Sequence, residues 1–303
     1  NFFKSTTLND GNHELKVRAK DAVGNYSSYA TKVVLIDTTP PDIPNPTSQT
    51  PTNNKSPIWT WSSIQNAVGY EVVLNNVLVG TEVVNSFNAV NLTEGTHEIK
   101  VRAKDSVGNW SEFGTHIVII DSTAPSVPNP FTSSPTSNTT PTWNWSEISN
   151  AVEYEITLNS VIQSIQSTTT FTSSELSEGT HKLKVRAKDN VGNWSAYGNS
   201  TIEIDTTAPS IPQPTTISPT KNSEITWHWS SILTAVEYEV QINDVNMGVQ
   251  SSTFFETSIL PEGSHEIKVR AKDSVGNYSA VGSHIVVIDT TAPSVPFPTS
   301  STP

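Results

Sequence analysis

The pentapeptide Val-Arg-Ala-Lys-Asp begins at Val17, Val101, Val185 and Val269, and each start lies 84 residues after the last. The same step relates Pro41, Pro125, Pro209 and Pro293, and it relates Trp61, Trp145 and Trp229. Self-similarity at a fixed period means one structural unit copied in tandem. Eighty-four residues is too long for a solenoid turn but suits a small domain with its own core. The complete copies are expected over 41–124, 125–208 and 209–292. Residues 1–40 match only the second part of a copy and 293–303 only the opening of a further one, so the sequence reads as a window on a longer array. The opening residues would supply about three strands with no partner sheet, too few for stability alone.

Within each copy the hydrophobic pattern is that of strands. His181, Leu183, Val185 and Ala187 alternate with Lys182, Lys184, Arg186 and Lys188, the period of two that marks a half-buried strand. Val152, Tyr154, Ile156 and Leu158 repeat the pattern with Glu153 and Glu155 outside, as do Ile202 and Ile204 with Glu203 outside. Acids and bases on neighbouring strands should then face one another, each pair contributing roughly 0.2–1 kcal/mol. Trp143 and Trp145 stand two apart on one face, as two indoles entering a core would. No stretch sustains the period of a helix. A hydrophobic content of 34% with 20 prolines fits short strands separated by turns. The sequence therefore predicts an all-β fold with about seven strands per copy.

Charge and composition narrow the partners. Lys and Arg number 17 against 29 Asp and Glu, a net charge of −12, which repels phosphate backbones and anionic membrane surfaces, so no nucleic acid is expected. There is no cysteine, hence no disulfide framework, thiolate metal site or cysteine nucleophile. No apolar run approaches about 20 residues, so no membrane insertion is expected in this segment, and any export signal or anchor would lie outside it.

Three stretches of the middle copy carry a resemblance: Trp145-Ser146, Val152-x-Tyr154-Glu155-Ile156, and Leu176-x-Glu178-Gly179-Thr180-His181-x-Leu183-Lys184-Val185-Arg186-Ala187. They resemble a fibronectin type III or bacterial immunoglobulin-like domain. Ala187-Lys188-Asp189-Asn190-Val191-Gly192-Asn193-Trp194-Ser195 is similar to the Ala-x-Asp-x-Ala-Gly-Asn-x-Ser segment of bacterial immunoglobulin-like repeats. The resemblance covers the three complete copies and the partial first one. It implies tandem immunoglobulin-like or fibronectin type III-like β-sandwiches, and it is specific for architecture rather than function. The family often places a Tyr where this chain has His13, His97, His181 and His265, packed at a strand corner with its hydroxyl bonded to backbone. A His can fill that corner and donate through one ring nitrogen.

Two sets of residues are candidates for binding. Asp105, Asp189 and Asp273 open an Asp-x-x-Gly-Asn turn, while Asp121, Asp205 and Asp289 stand just before the Thr-Ala-Pro junctions. If both loops lie at one end of a sandwich, with Glu94, Glu178 or Glu262 beside them, they are candidate ligands for Ca²⁺, which takes about six to eight oxygens. The resemblance adds that junction Asp residues of several bacterial immunoglobulin-like adhesins bind Ca²⁺ and stiffen the rod. The plainer reading is preferred, in which each Asp accepts backbone N–H groups of its own turn. Trp110 and Trp194, with Tyr26 and Tyr278 in the same slot, are candidates for stacking on a sugar, against the preferred reading of packing near a junction.

Other features read as structural. The Lys100, Arg102 and Lys104 ladder faces outward in a copy with four basic and eight acidic residues, so it is expected to be neutralised by neighbours and is not a buried isopeptide lysine. The corner histidines lack a second ligand at metal-binding spacing, and His116 and His284 read as exposed strand residues. No nucleophile elbow or phosphate loop is present, so no enzyme is expected.

Between copies, Ile120 to Pro130 reads Ile-Asp-Ser-Thr-Ala-Pro-Ser-Val-Pro-Asn-Pro, so one domain runs almost directly into the next. The prolines fix φ and limit bending, and they blunt the first strand as an edge. Domains about 35 Å long, from strands rising ~3.3 Å per residue, would extend the array to on the order of 100 Å. The leading expectation is a non-enzymatic spacer or stalk of a bacterial surface adhesin, or the body of an extracellular filament. Its partners would be neighbouring immunoglobulin-like domains of the same longer chain, a host-surface or matrix glycan or protein, or identical chains. The alternative is an accessory or carbohydrate-binding region of a large secreted hydrolase. Either places the chain outside the cell or on its surface.

Overall fold

The structure is a computed structural model that describes residues 2–296. Residues 297–303 of the further copy expected at 293–303 lie outside the described residues. The chain forms two compact units, Asn1–Pro125 with Lys188–Trp194, and Ser126–Ala187 with Ser195–Pro303. Every regular element among the described residues is a strand.

In the first unit, β1 (Gly11–Val17) and β2 (Ala30–Ile36) pair antiparallel, from Gly11 opposite Ile36 to Val17 opposite Ala30. Six strands follow: β3 (Ile58–Thr60), β4 (Ala67–Leu74), β5 (Val77–Glu82), β6 (Ser86–Asn88), β7 (Gly95–Asp105) and β8 (Gly114–Ile120). They make two sheets, β3 with β6, and four strands in the order β5-β4-β7-β8. Asn75 and Asn76 join β4 to β5 with φ of 49° and 64°, the left-handed pair that a tight hairpin needs. A seventh segment is not a continuous strand. Thr47 bridges antiparallel to Thr60, and Thr52 bridges parallel to Ile120, with the cis Thr50–Pro51 bond between them. Proline denies this stretch the N–H groups of a regular ladder.

The second unit repeats this plan. Its four-stranded sheets run Val161–Gln166, Ala151–Leu158, Gly179–Asp189, Gly198–Ile204 and Val245–Gln250, Glu237–Ile242, Gly263–Lys272, Gly282–Ile288. The chain is thus all-β, with sandwiches in tandem. Each of the three buried clusters is drawn from a single 84-residue copy, one around Trp59 and Trp61, one around Trp143 and Trp145, one around Trp227 and Trp229. Along β7, His97, Ile99, Val101, Ala103 and Asp105 are buried while the residues between them are not, which is the alternation that a half-buried strand shows.

The alternation fails early in β4. Ala67 pairs with Asp105 and Gly69 with Lys104, so Val68 is an extra residue in β4. It shifts the parity of the strand. Val68 and its counterparts Val152 and Val236 are exposed, whereas strict alternation puts Val152 inside. Glu155 also departs from expectation: it lies on the outer face but is only 5% exposed, covered by Arg186 and Tyr197. His116 and His284 share the inward parity of Val118 and Val286 and are half-buried. Trp59 Nε1 donates to His116 Nδ1 at 3.2 Å.

Glycine opens the last strand of each complete copy because the proline-rich segment crosses there. A Cβ on Gly198 would lie 1.6 Å from the Pro128 carbonyl oxygen, and one on Gly114 or Gly282 would meet Pro44 or Pro212 equally closely. Backbone cannot yield as a side-chain end can. Gly198→Ala is therefore expected to displace residues 128–136 and cost about 1–3 kcal/mol. Faster amide exchange at Thr136, whose N–H donates to the Glu203 carbonyl at 3.0 Å, would report the displacement.

Candidate functional site

The aspartate turns are built to fill the carboxylate from within. The Asp189 Oδ1 accepts from the backbone N–H groups of Val191, Gly192 and Asn193 at 3.0, 2.8 and 2.8 Å, and Oδ2 accepts from Asn193 Nδ2 at 2.8 Å. Asp105 and Asp273 make the same four bonds. Gly192 supplies the φ of 101° that the turn requires. Burial pushes these carboxyls up, but the Asn amide and the backbone donors outweigh it and hold all three below the usual carboxylate range.

The Asn of each turn also reaches the preceding copy. Within the first unit, Asn109 Nδ2 donates to the Asp37 carbonyl at 3.0 Å and Asn193 Nδ2 to the Asp121 carbonyl at 2.9 Å. Within the second, Asn277 Nδ2 donates to the Asp205 carbonyl at 2.9 Å, and Ser137 Oγ donates to the Val275 carbonyl at 3.1 Å. The residues after the junction Asp are held from their own side. Glu94 accepts from Ser122 N–H and Oγ and from Thr123 Oγ1, and Glu178 and Glu262 accept from Thr206 and Thr207 and from Thr290 and Thr291. These hydroxyl bonds, Ser122, Thr207 and Thr290 foremost, lower the three glutamates' pKa. The Asp121, Asp205 and Asp289 carboxylates accept the N–H two residues on.

The two aspartates of one copy do not converge on one Ca²⁺ site. Asp105 and Asp121 stand at opposite ends of their own copy, because β7 and β8 run antiparallel with Gly95 opposite Ile120. The turn aspartates are ringed by donors, which occupy the lone pairs a cation would need. Among the described residues no group of three or more His, Cys, Asp or Glu side chains is placed to hold a metal.

Trp110 and Trp194 lie half-buried on the outer face of their own four-stranded sheet. Lys104 and Lys188 bridge to them across the turn. Arg102 stands 4.7 Å from the Trp110 ring centroid and 4.8 Å from that of Phe113, so one guanidinium meets two rings. The cations are paired beneath, Arg102 with Glu71 and Arg186 with Glu155, both at 2.8 Å. Arg186, opposed by burial, holds the Glu155 carboxyl below its usual range, and Tyr197 adds a further hydrogen bond. The arginines of the ladder are thus neutralised within their own sheet, and Lys100 pairs with Glu98 at 3.3 Å.

The corner histidines do what the resemblance implies for the family's tyrosine. His97, His181 and His265 bond through Nε2 to the carbonyls of Thr93, Ser177 and Pro261 at 2.8 Å. Nδ1 faces Asn159 Nδ2 in the middle copy at 2.8 Å, while Asn159 Oδ1 accepts from Lys182 N–H. An amide nitrogen only donates and a carbonyl only accepts, so the ring is the Nε2–H tautomer. The Asn partners of the histidines and the Asn that crosses each junction were not singled out from sequence. Their signal was recurrence at the 84-residue step in every complete copy.

The family described as bacterial Ig-like domain (group 3) matches residues 165–227. Exoglucanase B of Cellulomonas fimi is 28% identical over 95% of this chain and 30% of its own length. Exoglucanase A of the same organism is 31% identical over 79% of this chain and 31% of its own length. The chain therefore spans about three-tenths of these curated relatives. Among solved structures, the chicken CNTN1 FN1–FN3 domains align with a TM-score of 0.37 at 16% identity, covering 82% of this chain and 99% of that one. The Clostridium thermocellum CbhA fibronectin(III)-like modules align with a TM-score of 0.36 at 15% identity, covering 53% of this chain and 94% of that one.

Proposed function

Because the chain is a tandem array of bacterial Ig-like and fibronectin III-like β-sandwich domains, we propose that it is a non-catalytic accessory stretch of a large secreted hydrolase. It sets the spacing between other modules of that protein. The observation that carries this reading is the similarity to exoglucanase B, which takes in 95% of this chain but only 30% of the relative. Relatives that are hydrolases favour the accessory role over the adhesin stalk or filament, and they favour an extracellular location. Two junctions support a spacer: the residues after Ile120 and after Ile204 are bonded both by a Glu of their own copy and by the Asn of the next.

A spacer acts through geometry rather than affinity. Placed between a cellulose-binding module and an exoglucanase catalytic domain, the segment should change turnover on insoluble cellulose severalfold relative to a direct fusion. Turnover on soluble cello-oligosaccharides should not change. Equal rates on insoluble substrate would overturn the proposal. Carbohydrate binding by the segment itself has less support, since the Trp110 and Trp194 rings already stack on cations of their own sheet. Cellulose pull-down of the isolated segment is expected to be weak and indifferent to Trp110→Ala and Trp194→Ala; retention lost in either variant would shift the function to binding.

A further inference from the structure

One aromatic position is filled in three copies and empty in the fourth. Tyr29, Phe113 and Tyr197 recur at the 84-residue step, and the next position in the series is Val281. In the middle copy the Tyr197 ring centroid lies 4.9 Å from Arg186 Cζ and 6.0 Å from Lys184 Nζ, and its hydroxyl donates to Glu155 Oε1 at 2.5 Å. In the last complete copy the same space is a pocket of about 110 Å³ lined by Glu239, Gln241, Lys268, Val269, Arg270 and Val281. Glu239, Lys268 and Arg270 are the counterparts, 84 residues on, of the three groups that hold Tyr197.

The chemistry of the empty place is that of the filled one. Arg270 has Tyr278 4.1 Å from its Cζ and no second ring among the described residues. Glu239 Oε2 accepts both Arg270 Nε at 2.8 Å and Nη2 at 2.5 Å, and Oε1 accepts no hydrogen bond among the described residues. The Arg270 side chain is 39% exposed, against 28% for Arg186. A dry cavity of about 150 Å³ holds benzene, so this volume, open on one side, is of the order of one six-membered ring.

We infer that the pocket between Glu239, Arg270 and Val281 binds a phenolic ring, in the place that Tyr197 takes in the preceding copy. The ring face lies on the Arg270 guanidinium and the hydroxyl donates to Glu239 Oε1. This site is independent of the spacer role.

The test is a titration of the full chain, with valine methyl groups labelled, by p-cresol. The Val281 methyl signals should shift and saturate, with toluene about tenfold weaker for want of the charge-assisted hydrogen bond. Glu239→Gln should weaken p-cresol binding by a similar factor. Val281→Tyr, which fills the pocket with the chain's own ring, should abolish it while leaving the melting temperature equal or higher. N-acetyltyrosinamide binding as tightly as p-cresol identifies a tyrosine side chain of a partner as the ligand, and its exclusion identifies a free phenolic compound. No saturable shift at Val281 with either phenol overturns the site, as does toluene binding equal to p-cresol.

Discussion

Trp143→Ala is expected to unfold one copy and leave its neighbours standing. The indole is fully buried among Trp145, Tyr154, Ile156 and Leu183, stacked 6.2 Å from Phe171. Its Nε1 has no hydrogen-bond partner among the described residues, so truncation removes packing without orphaning a polar group. A buried Trp to Ala change costs about 3–5 kcal/mol. Roughly 4–13 kcal/mol is the stability of an 84-residue domain, so the loss is a large share of the whole. Because the three clusters share no residue, the loss should stay in the cluster that contains Trp143. Calorimetry should show one component moved down by tens of degrees, at about 4–8 °C per kcal/mol for a domain of this size, and the others in place. A single transition that shifts as a whole would show that the copies do not fold independently. The half-exposed Trp194, by contrast, should cost below about 1 kcal/mol on truncation.

What could be read from sequence follows from parity and period. Trp143 and Trp145, or Leu183, Val185 and Ala187, were legible as core because side chains two apart on a strand share a face, and all five are buried. The corner histidines were legible because their place in the Leu-x-Glu-Gly-Thr-His run matches a corner whose backbone bond a ring N–H can make. Val152 was misplaced because a one-residue bulge changes parity without a residue signature of its own. Glu155 was misplaced because its cover, Tyr197, comes from 42 residues away, in the loop that leads into the last strand of the copy. The prolines of the junction were legible in the sequence, but its hydrogen bonds were not. The Asp-x-x-Gly-Asn turn and the junction Asp look like neighbours in one loop cluster until the antiparallel course of the last two strands separates them. It then brings each turn to the Asp of the copy before.

That contact makes each turn aspartate a carboxylate with much to lose, Asp273 among them. Asp273→Ala would leave the N–H groups of Val275, Gly276 and Asn277 and the Asn277 amide without their acceptor. A fully buried donor left unpaired costs about 1–3 kcal/mol. Val275 and Asn277 are half-buried and Gly276 is exposed, and the donors share one turn so the sum is not additive, hence about 2–4 kcal/mol is expected. The variant also frees Asn277 from its orientation toward the Asp205 carbonyl, so amide exchange should rise at both turn and junction. Asp273→Asn separates charge from shape: it keeps an oxygen for the three N–H groups but sets an amide against the Asn277 amide, and should cost less. The sign with pH follows from the direction of the shift. Burial raises the Asp273 carboxyl, the Asn277 amide and backbone donors lower it further, and the folded value ends below the unfolded value of 3.8. The unfolded chain therefore takes the proton first. The stabilisation is present above about pH 3.8 and is lost as pH falls through the folded value. The gap between wild type and Asp273→Asn should accordingly close in acid, measured by denaturant melts across that range. A gap that stays constant would mean that the turn is held by shape and not by the ionised carboxylate. Since donors surround that group, Ca²⁺ or a chelator should leave the melting of the wild type unchanged, and a rise with Ca²⁺ would reinstate a metal at the junction.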